Sequence, residues 1–475
     1  MNNELGTYLY EDNIQNLFLG ASQKLYNAVS HTIGPEGTNT AIPTGNDFLS
    51  IINDGKTIIE TISSNNLAEK LAINTLKESA FATNKESGDG TSSTIILQHK
   101  LLEAAVQSSE KITANDILET RDLLLEELPK YKKEIASDED LKKVITVALG
   151  SNKYTDIVFN AFEGLDKTQK PALVKVNTQK DTDFIKVDGI SLAPVEVNPV
   201  VLKSMSLAND EPLDIIILNQ EISRIDNAFA MLLKNISKSS KKTILLYTDI
   251  KPSVLDQLLF NIQEGALNLI PVRLAMNIQN LDDIISDLED YFGCKAYSDL
   301  NPYQTNITPT FVGKGIGYIL NKDSVIIKND NEEHYKEREH ILPSVSSAIQ
   351  VGFITYSQQA EDYRRLEDAI QSAYNAINYG YVIGAGFTYF AMCNVIPDKS
   401  AVLKAAMCNI FESLCSVADF SSQLEFINSI ENNVYDSYKV AEQVILNAFT
   451  VVSQILSTRC LLVPYQRNRM TGIIE

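Results

Sequence analysis

The stretch Asn84–Thr94, NKESGDGTSST, decides how this chain is read. Helical pattern runs into it from about Asn66 to Thr83 and resumes from Ser92 to about Ser108. Between the two lie Gly88-Asp89-Gly90 and a run of hydroxyl residues, Thr91-Ser92-Ser93-Thr94. A turn between helices needs a glycine and a capping hydroxyl. It has no need of an aspartate between two glycines. Glycines let backbone N–H groups approach an anion closely, and a helix start adds unpaired N–H groups and the positive end of a dipole. Asp89 would repel phosphate unless a cation stood between them, and Mg²⁺ takes carboxylate and phosphate oxygens together. Alone, the segment reads most simply as a capped turn.

Two further turns keep it company. One is HTIGPEGTN, with Thr32-Ile33-Gly34-Pro35; the other is Asn53-Asp54-Gly55, where Asp54 could orient a water molecule. Three such turns, each beside a regular element, weaken the reading of each as an unrelated cap and leave a phosphate-and-metal site open beside it.

The rest of the composition bounds the answer. At 475 residues the chain is too long for one core, and 44% hydrophobic with 21% charged residues is globular. A formal net charge of -20 argues against nucleic acid as a main ligand, because phosphate backbones are gripped by Lys and Arg clusters. Five cysteines match no zinc spacing, and Cys408 and Cys415 lie seven apart in an apolar helical stretch that suggests core packing. A reducing compartment is expected. The polar N-terminus does not read as a signal peptide, and the run YVIGAGFTYFAMCNVI is too short to span a bilayer. The four histidines form neither a metal set nor a Ser-His-Asp arrangement. No Gly-Lys-Ser/Thr phosphate loop appears.

Along the chain, residues 8–32 read as a helix, TAIPTGNDFLSIINDGKTII alternates like a hairpin, and residues 114–165 are mostly helical. From 185 to 330 strands (PLDIIILN, KKTILLYT, LNLIPVRL) alternate with helices (ISRIDNAFAMLLKNIS, KPSVLDQLLFNIQEG, LDDIISDLEDYFG), which is an α/β layer. Helical pattern then returns to the end. The order helical, α/β, helical predicts a helical domain made of both chain ends with an α/β domain inserted, crossed twice by a hinge.

At this point the residues resemble a known family. TIGPEGTN, INDG and GDGTSST, in that order, are similar to the nucleotide turns of the group I chaperonins, the GroEL family. RRLEDAIQSAYNAINYGYVIGAG resembles that family's Val-Glu-Asp-Ala helix and the glycine turn after it, and YDSYKVAEQVILNAFTVVSQILSTRCLL its last long helix. The resemblance covers nearly the whole chain. It implies a multi-domain α+β chaperonin fold with a mainly helical equatorial domain (1–133 and 379–475), a small intermediate hinge domain (134–184 and 346–378) and an inserted α/β apical domain (185–345).

The resemblance also implies roles. Thr32, Ile33, Gly34, Pro35 and Asn53 would line the nucleotide; Gly88, Gly90, Thr91, Ser92 and Ser93 would cradle phosphates; Asp89 would hold Mg²⁺. Asp54 and Asp368 would polarise the attacking water, with Asp368 brought up by closure of the hinge domain. Gly384 and Ala385 would meet base or ribose, with Asp436 beside the ribose. In the apical domain, Phe229, Leu232, Leu255, Leu259 and Phe260 stand where the family grips non-native chains, although bulky residues at helical spacing also make core.

The implied protein is an ATP- and Mg²⁺-dependent chaperonin that binds non-native polypeptides and promotes their folding in a homo-oligomeric ring, seven-membered, single or double. It is expected in the cytoplasm, without nucleic acid or membrane partners; whether a co-chaperonin lid is needed stays open. Asn53 replaces a family lysine, Glu36 and Thr38 replace basic residues, Ala385 replaces a glycine, and the apical and later equatorial segments are shortened. Such trimming suits a virus-encoded member, acting in the host cytoplasm. The alternative is a chaperonin-derived ring scaffold or holdase with little ATPase activity; three retained aspartates that repel one another without a metal speak against it.

Overall fold

A computed structural model of the chain describes residues 7–34, 37–44, 48–52, 54–108, 111–167, 169–175, 181–192, 195–275, 281–298, 309–322, 324–329, 345–352, 355–397, 401–417 and 423–463. Two compact units form: Met1–Asp156 with Arg364–Glu475, and Ile157–Tyr363. The chain passes between them within the helices Thr155–Phe162 and Tyr356–Tyr379.

The first unit is helical. Its helices start and stop where local chemistry dictates. Asn66 caps Leu67–Ser87 by accepting from Glu69 N–H, and Gly88, at φ 81°, ends it. Thr113 with Asp116, and Ser137 with Asp140, form reciprocal capping boxes that open Ala114–Glu127 and Asp138–Leu149. The helix Tyr438–Ser457 packs against Leu67–Ser87, Thr91–Gln107 and Ala114–Glu127, while Glu11–Val29 packs on the first two of these. By length and hydropathy Tyr438–Ser457 would suit a bilayer, yet Val444, Ile445, Ala448, Phe449 and Val452 are fully buried at the centre of this core.

Strands complete the unit at its margins. Thr7–Tyr10 pairs antiparallel with Cys460–Val463, and Tyr381–Ile383 with Tyr435–Ser437. Thr40–Thr44 pairs with Phe48–Ile52 as the sequence alternation predicts, with Pro43 inside the ladder opposite Leu49 rather than at the turn. The expected alternation does not continue through Gly55: Asp54 accepts the N–H groups of Lys56 and Thr57, and residues 55–61 become a helix. Cys408 is buried as expected, its sulfur 2.9 Å from that of Cys393; the side chain of Cys415 lies outside the described residues.

The second unit holds two sheets. In the first, Leu213–Ile222, Lys242–Ile250 and Leu269–Leu274 run parallel, with Tyr297–Ser298 parallel at one edge and Val195–Val197 antiparallel at the other. Their near-continuous apolar runs are what a sheet covered on both faces requires. The helix after the first strand begins at Asn227, later than the sequence pattern suggests. Glu221 and Ile222 stay in the ladder opposite Asp249 and Ile250, and Asp226 caps the helix through Phe229 N–H at 2.9 Å. The second sheet orders Ala172–Lys175, Val345–Val351, Asp183–Leu192, Val325–Lys328, Gly317–Leu320 and Ala208–Asn209, with only the first pair parallel.

Candidate nucleotide site in the helical unit

The Gly-Asp-Gly turn is built from the backbone outward. Gly88 and Gly90 have φ of 81° and 93°, a left-handed conformation that costs a side-chain-bearing residue about 1–2 kcal/mol. Neighbours also exclude a side chain at both. A methyl group on Gly88 would overlap Gln371, and one on Gly90 would stand 3.0 Å from Val444 Cγ2. Asn84 Nδ2 donates to Gly88 O (2.9 Å), Ser87 Oγ to Asp89 O (2.8 Å), and Asn375 Nδ2 to Ser87 O (2.9 Å). The turn is thus held from the preceding helix and from Tyr356–Tyr379.

The helix that follows, Thr91–Gln107, starts at Gly90 with no side-chain cap. Its first N–H groups are thereby left for another acceptor. Among the described residues, the hydroxyls of Thr91, Ser92 and Ser93 make no hydrogen bond, whereas Thr94 is tied to Gly90 O at 2.8 Å. Hydroxyls, N–H groups and dipole together suit an oxyanion. The Asp54 turn is pressed against this helix start, for a methyl group on Gly55 would overlap Ser92 Oγ. Ser30–Thr32 packs on the same helix, with Thr32 Oγ1 donating to Val29 O at 2.8 Å and Gly34 at φ 87°.

Three carboxylates share the electrostatics. Burial pushes Asp89 up, the Gly90 N–H (2.5 Å) pulls it down, and the charge of Asp54 raises it again. Burial also raises Asp368 well above the carboxylate range, with Asp89, Asp54 and Glu367 adding to it and the Asn84 amide opposing. Asp54 is fixed as a cap by Lys56 N–H (3.2 Å), Thr57 N–H (3.0 Å) and the Thr57 hydroxyl. Arg364 Nε stands 3.8 Å from its Oδ2. Mutual repulsion of this kind marks a place where a cation belongs. Among the described residues no three His, Cys, Asp or Glu side chains form a metal cage. Mg²⁺ fits nonetheless, since it is held by one or two carboxylates completed by phosphate oxygens and water.

At the other end, Gly384, Ala385 and Gly386 turn the chain from the strand Tyr381–Ile383 into the helix Phe387–Met392. Ala385 is the one non-glycine with positive φ among the described residues, at 53°. A methyl group on Gly384 would stand 2.9 Å from the Asp436 carboxyl atoms. Burial, then the charge of Asp89, pushes Asp436 up to about 7. Burial above all, then the charges of Asp436 and Asp89, raises Tyr389. Asp89 therefore lies within electrostatic reach of both Asp368 and Asp436.

Of the sequence-derived residues, Thr32, Asp54, Gly88, Asp89, Gly90, Thr91, Ser92, Ser93, Asp368, Gly384 and Asp436 are linked by these contacts. Ile33, Gly34 and Ala385 are their chain neighbours. Pro35 and Asn53 lie outside the described residues. Asn84, Asn375 and Arg364 were missed; the spacing of four between Arg364 and Asp368 on one helix is the signal that could have found the arginine.

The expectation for the second unit needs correction. Phe229 (0% exposed), Leu232 (1%) and Leu259 (7%) are core residues packed on the parallel sheet, so they do not face a client. Leu255 is half-buried against the same core. Phe260 alone of the five is fully presented, at 62%, and Met231 is exposed on the neighbouring helix.

Fold and site together define a class. The TCP-1/cpn60 chaperonin family model matches residues 25–416, and the chain belongs to that family. Similar solved structures include two crystal forms of the chaperonin gp146 from bacteriophage EL 2 (Pseudomonas aeruginosa), determined in the presence of ATP-BeFx. The first has a TM-score of 0.71 at 16% identity, covering 98% of this chain and 100% of that one. The second has 0.68 at 15%, covering 97% and 99%. At such identities the likeness is one of fold.

Proposed function

We propose that this chaperonin hydrolyses ATP with Mg²⁺ to drive the binding and release of non-native polypeptides in a homo-oligomeric ring. The observation that carries the reading is the meeting of Asp54, Asp89 and Asp368 at a helix start without a side-chain cap, beside three hydroxyls that make no hydrogen bond among the described residues. The N–H groups after Gly90 and the hydroxyls of Thr91, Ser92 and Ser93 bind the phosphates. Asp89 would hold Mg²⁺, which supplies the charge that offsets both carboxylates and phosphate. Asp54, locked by its own helix, orients the attacking water, and Asp368, with its raised pKa, accepts the proton. Gly384 leaves room for the nucleoside beside Asp436.

The division into equatorial, intermediate and apical domains, with Asp368 carried on a hinge element, belongs to the same reading. So does assembly: Leu49 and Ile51 (both 69% exposed) on the hairpin, and Leu462 (57%) on the terminal strand, offer apolar edges to further copies. A seven-membered ring, acting in the cytoplasm, is the form proposed.

Steady-state phosphate release from wild type and Asp368→Ala tests the chemistry. The variant should lose on the order of 10²-fold or more in kcat while still binding Mg²⁺-ATP. Equal phosphate release from both proteins would sink the assignment.

A further inference from the structure

The nucleotide residues carry a net excess of negative charge, and one basic side chain answers it. Among the described residues, Arg364 is the only Lys, Arg or His within 4.0 Å of Asp54, Asp89 or Asp368, with Nε 3.8 Å from Asp54 Oδ2. Arg364 and Asp368 are four residues apart in the continuous helix Tyr356–Tyr379, so they share a face one turn apart. The adjacent arginine has a different task. Arg365 Nη1 donates to Leu149 O (3.1 Å), closing the end of the helix Asp138–Leu149. Arg364 is instead turned to the carboxylate side.

Its setting is that of a working cation rather than a surface ion pair. The Arg364 side chain is 32% exposed and that of Asp54 16%, and the Nε that faces Asp54 is itself buried, so the pair is partly withdrawn from solvent. Asp54 does not need Arg364 to be held in place, because two N–H groups and a hydroxyl of its own helix already do that. A guanidinium is a planar fork whose donors match phosphate oxygens, and it stays charged at any working pH. The phosphate cradle at Thr91–Ser93 contributes only neutral donors, and the three ionisable groups beside it are all acids.

We propose that Arg364 is a phosphate-binding residue: it balances Asp54 in the nucleotide-free protein and takes the terminal phosphate of bound ATP. This rests on the nucleotide reading above and adds a specificity element to it, namely the means by which the site tells a triphosphate from a diphosphate.

The test is the affinity of the full-length protein for Mg²⁺-ATP and Mg²⁺-ADP, measured by calorimetry for wild type, Arg364→Ala and Arg364→Lys. Arg364→Ala should weaken ATP binding about 10- to 100-fold and leave ADP within about twofold, the loss expected for a charged hydrogen-bonded contact. Arg364→Lys, which keeps the charge without the fork, should fall between. An unchanged ATP-to-ADP affinity ratio in Arg364→Ala overturns the proposal, and so does an equal loss of both nucleotides. Should Arg364→Ala melt before assay, the ratio in Arg364→Lys decides. A wild-type protein that binds neither nucleotide refutes the whole nucleotide reading; one that binds both while Arg364→Ala keeps the ratio refutes only the role of Arg364.

Discussion

Gly88 lies flush against Gln371: a methyl group on the glycine would overlap the Cβ and Cγ atoms of Gln371, three residues beyond Asp368. The Gly-Asp-Gly turn and the helix bearing the proposed base are therefore fitted together by the absence of one carbon atom.

Gly88→Ala should cost about 2–4 kcal/mol, combining left-handed strain with overpacking. Gly150→Ala is the control, since Gly150 also has positive φ (64°) but meets only Arg365 Nη1, at 3.6 Å. It should cost about 1 kcal/mol. Denaturation midpoints of the two variants separate fit from strain; equal losses would show that Gln371 gives way.

Asp436 makes stability depend on pH. Its pKa is about 7 in the folded protein against an ordinary 3.8, so the folded state binds more protons across that window. Stability is then lost as pH rises from about 4 through 7. Asp436→Asn should raise stability at pH 8.5 by more than at pH 5, the difference being on the order of 2–3 kcal/mol. The same gain at both pH values would mean that the carboxyl charge is not the cause.

Two phenylalanines separate core from surface in the second unit. Phe229→Ala should destabilise by about 3–5 kcal/mol, because Phe229 is fully buried. Phe260→Ser should alter stability by no more than about 0.5 kcal/mol yet weaken suppression of aggregation of a denatured client. Unimpaired suppression by Phe260→Ser would remove that residue from the client surface.

What the sequence revealed followed from strong periodicity. The three parallel strands and the helices between them were legible because fully apolar runs of strand length leave few other options. The misplaced client residues were an error of phase. Val254, Leu258 and Ile262 recur every four residues and face the sheet, with Leu259 beside them, so Phe260 falls on the opposite side. Phe229, Leu232 and Ile236 form the same kind of inward stripe, leaving Met231 outside. The aspartates could be read from turns, but the cation could not, since Arg364 meets Asp54 only after 309 intervening residues have folded.

The pairing of Thr7–Tyr10 with Cys460–Val463 also bears on how the protein is made. Residues 157–363 are contiguous and can fold as they leave the ribosome. The helical unit cannot close until the strand Cys460–Val463 and the central helix Tyr438–Ser457, both later in the chain than the α/β unit, have been synthesised. Asp54 and Asp89 must wait for Asp368 and Asp436. A nascent chain stopped before Tyr438 therefore carries a finished α/β unit and an open helical one, with the proposed nucleotide site still unassembled.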